Sequence, residues 1–279
     1  MSERGNGVTR RAVLGAVGLG AVLPRVASGA EKPGRRGAQG KVARPDGSPI
    51  VLVHGAWHGG WAWRRLAPLL RKAGHPVFSP TLTGVGEREH LLSREVSLTT
   101  HVEDVRLLLE FEDLRDVILV GHSYGGAVVT GAAAAVPERI ARLVYLDAFV
   151  PESGTSVFDN MPPKLIEHWR QAAKERGEGW KVPPMLDARS MGVTVAEEAR
   201  WLDPRLRPMP LACFEQSLQF DEAKLAKLSR EYLRCTGFGG FGPTADRLKR
   251  SGWSVRELEA GHDVMVAAPA ELARALIGT

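Results

Sequence analysis

The sequence has few cysteines and no long apolar run, and it has no excess of basic residues after its N-terminal segment. Only Cys213 and Cys235 occur in 279 residues, which excludes a disulfide framework, and no Cys-x-x-Cys pair indicates a metal site. We expect both thiols to be buried as small apolar side chains. No apolar run reaches the ~20 residues of a membrane-spanning helix, so stable membrane insertion is not expected.

The net charge of +5 belongs entirely to the N-terminal segment. Residues 1–36 contain seven Arg or Lys and two Glu, so the rest of the chain is neutral. A neutral body lacks the basic face that nucleic-acid binding requires. The remaining composition, 44% hydrophobic and 25% charged, is ordinary for a globular protein, and the length suits one large α/β domain.

The N-terminus has the pattern of an export signal. Arg10 and Arg11 precede a Gly/Ala-rich apolar run that ends at Leu23, and residues 28–30 are small. The paired arginines resemble a twin-arginine signal, which implies export of a folded protein to the periplasm or the medium. The predicted organisation is a signal at 1–30, a linker at 31–47 and a folded domain at 48–279.

Predicted strands and helices alternate along this domain. Continuous β-branched runs such as residues 50–53 are typical of strands buried on both faces. Repeated β-α-β order predicts an α/β fold with a mostly parallel sheet and helices on both faces. The predicted strands are 50–53, 76–79, 117–120, 143–146, 231–235 and 253–258, and the predicted helices are 61–73, 101–111, 127–136 and 269–277.

Residues 151–230 interrupt the alternation. They are helical in pattern, punctuated by proline, and inserted between two core strands. Such an insertion normally lies above the carboxyl ends of the strands, so we predict a cap over the site. Six residues of this cap either build an apolar roof over the site or pack the cap on the core: Trp169, Trp180, Met185, Met191, Trp201 and Phe214.

The pattern Gly-x-Ser-x-Gly at residues 121–125 indicates a nucleophile. It lies directly between a predicted strand and a helix of small residues, which is the context of a nucleophile elbow. The glycines permit a turn so tight that Ser123 is strained and its hydroxyl is exposed. Tyr124 begins the helix, so its N–H is one predicted oxyanion donor, and Ala56, in the loop after the first strand, supplies the other.

His262 is the predicted general base because it follows the last strand, in the sequence Gly-His-Asp. It would accept the Ser123 proton and return it to the leaving group. His54 and His58 are expected to hydrogen-bond their own loop rather than to bind a metal, since no third ligand is evident. The other histidines considered as the base do not follow the final strand: His75, His90, His101, His122 and His168.

Five motifs carry a family resemblance, at residues 54–61, 80–84, 121–126, 146–151 and 261–263. Together they resemble the α/β-hydrolase superfamily, and within it the branch of plant methyl esterases, hydroxynitrile lyases and related bacterial esterases. The resemblance extends from about Ile50 to the C-terminus. It implies a six-stranded parallel sheet, a helical cap and a cofactor-free Ser–His–Asp site.

The acid of the triad departs from this pattern. In the branch that the chain resembles, the acid follows the penultimate strand as Cys-Thr-x-Asp, but Phe238 stands at that position here. Asp147 is the leading substitute, because it ends the strand after the nucleophile helix, a position that supplies the acid in some α/β-hydrolases. Asp246, Asp263 and a dyad without any acid are the alternatives.

Three positions favour ester hydrolysis over cyanohydrin cleavage. The hydroxynitrile lyases that the chain resembles have His-Thr in the first loop, Gly-Glu-Ser at the elbow and Lys after the base. At the Thr, Glu and Lys positions this sequence has Gly55, His122 and Asp263. The lysine matters most, because departing cyanide needs a cationic partner.

We therefore predict a serine hydrolase that cleaves a neutral, largely apolar ester or lactone through an acyl-enzyme, with no cofactor or metal. The missing carboxylate at Phe238 leaves two alternatives: a cofactor-free, oxygenase-like enzyme on the same scaffold, or a ligand-binding module with a weakened triad. The sequence does not indicate an oligomeric state.

Overall fold

The computed structural model describes residues 47–278, so the predicted export signal and nearly all of the predicted linker lie outside the described residues. Within this range the strands are β1 (Ile50–Val53), β2 (Val77–Phe78), β3 (Val117–His122), β4 (Ile140–Leu146), β5 (Lys181–Val182), β6 (Met209–Pro210), β7 (Ser229–Cys235) and β8 (Ser254–Leu258). The α-helices are α1 (Leu66–Lys72), α2 (Leu98–Phe111), α3 (Gly125–Ala135), α4 (Pro163–Arg176), α5 (Ala196–Leu202), α6 (Ala212–Glu215), α7 (Glu222–Ala226), α8 (Gly242–Arg250), α9 (Val264–Ala267) and α10 (Pro269–Ile277).

Six strands form one sheet in the order β2-β1-β3-β4-β7-β8. Every neighbouring pair in this sheet is parallel, as predicted. β1 and β3 are buried at every residue, because α1 packs with α10 and α2 packs with α3, and these helices cover the two faces of the sheet. The strands all point the same way, so their carboxyl ends bring the loops that follow them to one edge.

The element boundaries differ from the predictions where tertiary contacts extend or break a pattern. β4 begins at Ile140, three residues before the predicted strand, and β3 continues through His122 into the elbow. The helix predicted over 61–73 divides into a 3₁₀ turn, Gly60–Trp63, and α1. Thr81 accepts the Gly60 N–H at 2.7 Å, which fixes this tight turn against the loop after β2.

The segment between β4 and β7 contains α4 to α7 and a small antiparallel sheet of β5 with β6. Each of these two strands has two residues, too few to produce a recognisable alternation in the sequence. The cap is fixed to the core by Glu198 of α5, which is buried and forms ion pairs with Arg64 and Arg65.

Both cysteines are free and buried, as predicted. Burial raises the pKa of the Cys213 thiol to about 12, and burial also raises the pKa of Cys235. The two thiols are therefore protonated, apolar core groups at neutral pH. Among residues 47–278, no helix combines the length and the apolar character needed to cross a membrane.

Candidate active site

The predicted elbow connects β3 to α3. Ser123 has φ of 54°, a left-handed conformation that is costly for a residue with a side chain. Its N–H donates to the carbonyl of Leu146 at 3.2 Å, which holds the turn against the end of β4. A side chain at Gly125 would place its Cβ 2.6 Å from the His54 carbonyl oxygen, so glycine is required where α3 begins beneath the first loop.

The structure brings His262 and Asp147 together. His262, in the loop after β8, donates through Nδ1 to Asp147 Oδ2 at 2.6 Å. Asp147 follows β4 directly, has φ of 43° and is fully buried. Its second oxygen accepts the N–H of Cys235 at 3.2 Å. Because Nδ1 is held by the carboxylate, Nε2 is the ring nitrogen left for Ser123, which lines the same cavity as His262.

The other positions considered for the acid lie elsewhere. Asp246 is exposed on α8, and Asp263 binds His58 instead of His262. Phe238 stacks on the imidazole of His262 with ring centroids 4.5 Å apart and an interplanar angle of 28°. An aromatic ring therefore covers one face of the base, while the carboxylate reaches its edge from a different strand.

The two predicted oxyanion donors, Ala56 and Tyr124, line the cavity together with Ser123. Within residues 47–278 neither N–H donates to another backbone group, so both are free to bind an oxyanion. The Tyr124 hydroxyl contacts His101 Nδ1 at 2.9 Å, and His101 Nε2 donates to the Thr83 carbonyl at 2.8 Å. These contacts fix the start of α3 from below.

His54 is a neutral, structural residue of the first loop. Its Nδ1–H donates to the Gly55 carbonyl at 2.8 Å, and its Nε2 accepts the Leu82 N–H at 3.1 Å. Burial lowers the pKa of His54 to about 3. The expectation that this histidine hydrogen-bonds the loop is confirmed.

His58 also bonds its own loop, but it has a second partner that sequence reasoning missed. Its Nδ1 donates to the Ala56 carbonyl at 2.7 Å, and its Nε2 donates to Asp263 Oδ2 at 3.0 Å. Burial alone would lower the pKa of His58, but the Asp263 carboxylate and the Ala56 carbonyl outweigh it and raise this pKa. Among residues 47–278, no group of three or more His, Cys, Asp or Glu is placed to hold a metal ion.

His122, in the elbow, contacts the predicted base. Its Nε2 donates to the His262 carbonyl at 3.1 Å, and the two ring centroids are 4.4 Å apart. Burial lowers the pKa of His122 well below its usual value, so this ring is neutral. The residue before the serine in the Gly-x-Ser-x-Gly pattern thus holds the loop that contains His262.

The cavity over these groups has a volume of about 180 Å³ and a largely apolar wall. Four of the predicted roof residues line it: Trp169, Met185, Met191 and Phe214. Sequence reasoning missed Trp57, Phe149, Phe238 and Phe241 as further aromatic walls, and Asn160 and His168 as polar groups on the cap side.

Two of the six candidates for the roof, Trp180 and Trp201, do not line the cavity. Trp201 lies under the guanidinium of Arg64, 3.5 Å from its ring centroid, and against Trp61. Trp180 faces Arg94 and Lys181. Both rings pair with cations away from the cavity, because indole faces attract guanidinium and ammonium groups.

A parallel sheet, a strained serine after a central strand and a buried histidine–carboxylate pair after later strands together define one class of protein. The chain belongs to the alpha/beta hydrolase family, whose model matches residues 50–275. This confirms the fold and the superfamily predicted from the five motifs.

Two named relatives within this family are similar in sequence to the chain. The carbendazim hydrolyzing esterase of Nocardioides sp. (strain SG-4G) is 44% identical over 240 residues, which cover 81% of this chain and 97% of that relative. Salicylic acid-binding protein 2 of Nicotiana tabacum is 39% identical over 109 residues, which cover 39% of this chain and 42% of that protein.

Among solved structures, an extracellular alpha/beta-hydrolase from a Paenibacillus species superposes with a TM-score of 0.74 at 26% identity. The match covers 83% of this chain and 98% of that chain. That structure is described as sharing structural and functional homology with the tobacco salicylic acid-binding protein.

Proposed function

We propose that this enzyme is a serine carboxylesterase that cleaves a neutral, largely apolar ester or lactone through an acyl-enzyme. The observation that carries the proposal is the 2.6 Å hydrogen bond from His262 to Asp147, beside Ser123 in one apolar cavity. A serine hydroxyl attacks an ester only when an oriented base removes its proton.

In the first step, Ser123 Oγ attacks the ester carbonyl and His262 Nε2 accepts its proton. Asp147 keeps the proton of His262 on Nδ1 and stabilises the imidazolium that forms. The carbonyl oxygen becomes an oxyanion that the N–H groups of Ala56 and Tyr124 bind. His262 then gives the proton to the departing alkoxide, and the alcohol leaves.

In the second step, water attacks the acyl-enzyme. His262 accepts a proton from this water, and the same two N–H groups bind the second oxyanion. Collapse of the intermediate breaks the bond to Ser123 Oγ, which regains its proton from His262. The products are a carboxylic acid and the free enzyme, with no requirement for a cofactor.

The wall of the cavity supports a neutral substrate of modest size. No lysine, arginine, aspartate or glutamate is among the described residues that line it, so an anionic substrate would lack a strong partner. Aromatic rings and methionines favour a flat or flexible apolar group. The 44% identical relative carries carbendazim in its name, which makes that compound a rational substrate to test.

The contact between His262 and Asp147 favours hydrolysis over the alternatives raised by the sequence. An oxygenase-like enzyme and a ligand-binding module with a weakened triad follow from the replacement of the usual acid by Phe238, and Asp147 supplies His262 with a carboxylate from a different strand. Cyanohydrin cleavage is disfavoured because Asp263, at the lyase lysine position, is a carboxylate whose Oδ2 is engaged by His58.

Turnover of p-nitrophenyl acetate and butyrate tests the proposal. We expect Ser123→Ala to abolish turnover and to remove labelling by a fluorophosphonate. Ser251→Ala, which changes an exposed serine directly after α8, should retain both. Carbendazim and a small lactone are assayed in parallel to define the substrate. Unchanged turnover in Ser123→Ala, or a label found on another residue, would overturn the serine mechanism.

A further inference from the structure

A second histidine–aspartate pair lies beside the triad. His58 and Asp263 are 2% and 0% exposed, and Nε2 of the histidine is 3.0 Å from the carboxylate. The pair spans 205 residues of sequence. It joins the loop after β1, which carries Ala56, to the loop after β8, which carries His262.

Both nitrogens of His58 face oxygens that carry no hydrogen. One is the Ala56 carbonyl at 2.7 Å, and the other is Asp263 Oδ2. Each contact therefore requires an N–H on the ring, and the residue that satisfies both is an imidazolium. A buried imidazolium needs a counter-charge, which Asp263 provides.

The loop that carries the base is held from two further directions. His122 donates to the His262 carbonyl, and the Asp263 N–H donates to the Met191 carbonyl of the cap at 3.0 Å. Beside these bonds the backbones of Gly192 and Gly261 touch so closely that a Cβ on Gly192 would lie 2.5 Å from the Gly261 Cα. The His58 contact connects this loop to the loop that carries Ala56.

We propose that His58 and Asp263 are positioning residues that set the Ala56 oxyanion loop and the His262 loop relative to each other. This inference rests on the proposed esterase function. Catalysis requires the oxyanion donor and the base to meet one substrate carbonyl at the same time, and a shift of about 1 Å between them costs on the order of a hundredfold in rate. An ion pair between the two loops removes that freedom.

The charge on His58 makes this contact dependent on pH. Its pKa is raised above 6.5, so the pair contributes fully below about pH 6.5 and is lost as the pH rises through the higher, folded-state value. The titratable groups that face His58 are Asp263 from the base loop, His122 from the elbow and His54 from its own loop. His54 and His122 are neutral, so Asp263 alone balances the charge.

Two substitutions of Asp263 separate the effect of the hydrogen bond to His58 from the effect of the charge on His58. In Asp263→Ala, His58 loses its partner, becomes neutral and is released from the base loop. In Asp263→Asn, a neutral His58 retains Nδ1–H to Ala56 while its Nε2 accepts the new amide N–H, so both hydrogen bonds remain. Glu198→Ala is the matched control, because it removes a buried carboxylate that joins the cap to the core through Arg64 and Arg65 rather than through either loop of the pair.

We expect Asp263→Ala to lower kcat about ten- to hundredfold with KM within about threefold, because the interaction lost is one that serves the transition state. Asp263→Asn keeps kcat within about threefold of the wild-type value, and its rate no longer falls on the alkaline side where His58 loses its proton. The Glu198→Ala control lowers the melting temperature and leaves kcat and the pH profile unchanged.

Two results would overturn the proposal. One is a folded Asp263→Ala enzyme with wild-type kcat. The other is an alkaline limb that persists unchanged in Asp263→Asn.

Nitrogen-15 NMR of the histidine side chains distinguishes this failure from failure of the proposed function. His58 is assigned by the signals that disappear in His58→Gln. We expect two protonated ring nitrogens on His58 in the wild type at pH 6 and one in Asp263→Asn, whether or not any ester is cleaved. A neutral His58 in the wild type at this pH would contradict the ion pair itself.

Discussion

Two residues with positive φ carry the geometry of the site. Ser123 and Asp147 each follow the last residue of a strand, and those residues, His122 and Leu146, are paired in the register of β3 with β4. The proposed nucleophile and the proposed acid therefore leave adjacent strands side by side. Strain of this kind costs about 1–3 kcal/mol at each residue and persists only where the surrounding structure enforces it.

The first prediction concerns the acid. Asp147→Asn should lower kcat at least about a hundredfold with a smaller effect on KM, because an amide favours the wrong imidazole tautomer and does not stabilise its cation. Steady-state kinetics on p-nitrophenyl butyrate measure this effect. Asp246→Asn is the control and should retain wild-type turnover, since Asp246 is exposed on α8. Near-wild-type turnover in Asp147→Asn would mean that His262 works without this acid.

A second prediction concerns the residue that replaces the usual acid. Phe238→Asp, made in the Asp147→Asn background, should not restore turnover. The Phe238 ring lies over the face of the imidazole at 28°, whereas the Nδ1–H bond lies in the plane of the ring, so a side chain that leaves from this position does not meet the proton. Recovery of about tenfold or more in kcat would show instead that the loop can redirect the new carboxylate.

At the scale of elements, the site depends on how closely α3 approaches β1. The start of α3 touches the carbonyl groups of Val53 and His54, where the Cβ of any side chain at Gly125 would lie 2.8 Å and 2.6 Å from the two oxygens. The oxyanion loop begins at these residues. A change in the packing of α3 therefore moves the loop that carries Ala56.

The third prediction tests this approach. Gly125→Ala should lower the free energy of unfolding by about 1–3 kcal/mol through overpacking, and should lower kcat because the oxyanion loop is displaced. Differential scanning calorimetry and steady-state kinetics measure the two effects. Gly239→Ala is the control, since a Cβ there meets no atom within 4 Å. Equal free energies of unfolding for the two variants would show that β1 shifts to accommodate the new Cβ without a loss of stability.

At the scale of the whole molecule, the net positive charge lies in the N-terminal segment. The excess of seven basic over two acidic residues lies in residues 1–36, outside the described part of the chain. We propose that this segment directs export by the twin-arginine route.

The fourth prediction follows from the paired arginines. A reporter fused to residues 1–30 should be exported, and a double substitution of Arg10→Lys and Arg11→Lys should retain the reporter inside the cell although the charge is unchanged. The measurement is the fraction of reporter outside the cytoplasmic membrane. Export that survives the lysine substitutions would exclude the twin-arginine route.

The sequence alone determined the features that local pattern encodes. Apolar β-branched runs indicated the parallel strands, because strands buried on both faces must be apolar throughout. Gly-x-Ser-x-Gly between strand and helix located Ser123, and position after the last strand located His262. These signals need only neighbouring residues and the order of the strands along the chain, and the parallel sheet confirms the fold that they predicted.

Only the tertiary structure decided which partners distant residues meet. It joined Asp147 to His262 across 115 residues and His58 to Asp263 across 205, and it turned Trp180 and Trp201 away from the cavity. Such contacts depend on strand register, loop paths and the packing of the cap, none of which has a local signature. Asp263 follows the proposed catalytic base in sequence but contacts a different histidine, His58. Adjacent side chains leave the backbone in different directions, so the fold decides what each one meets.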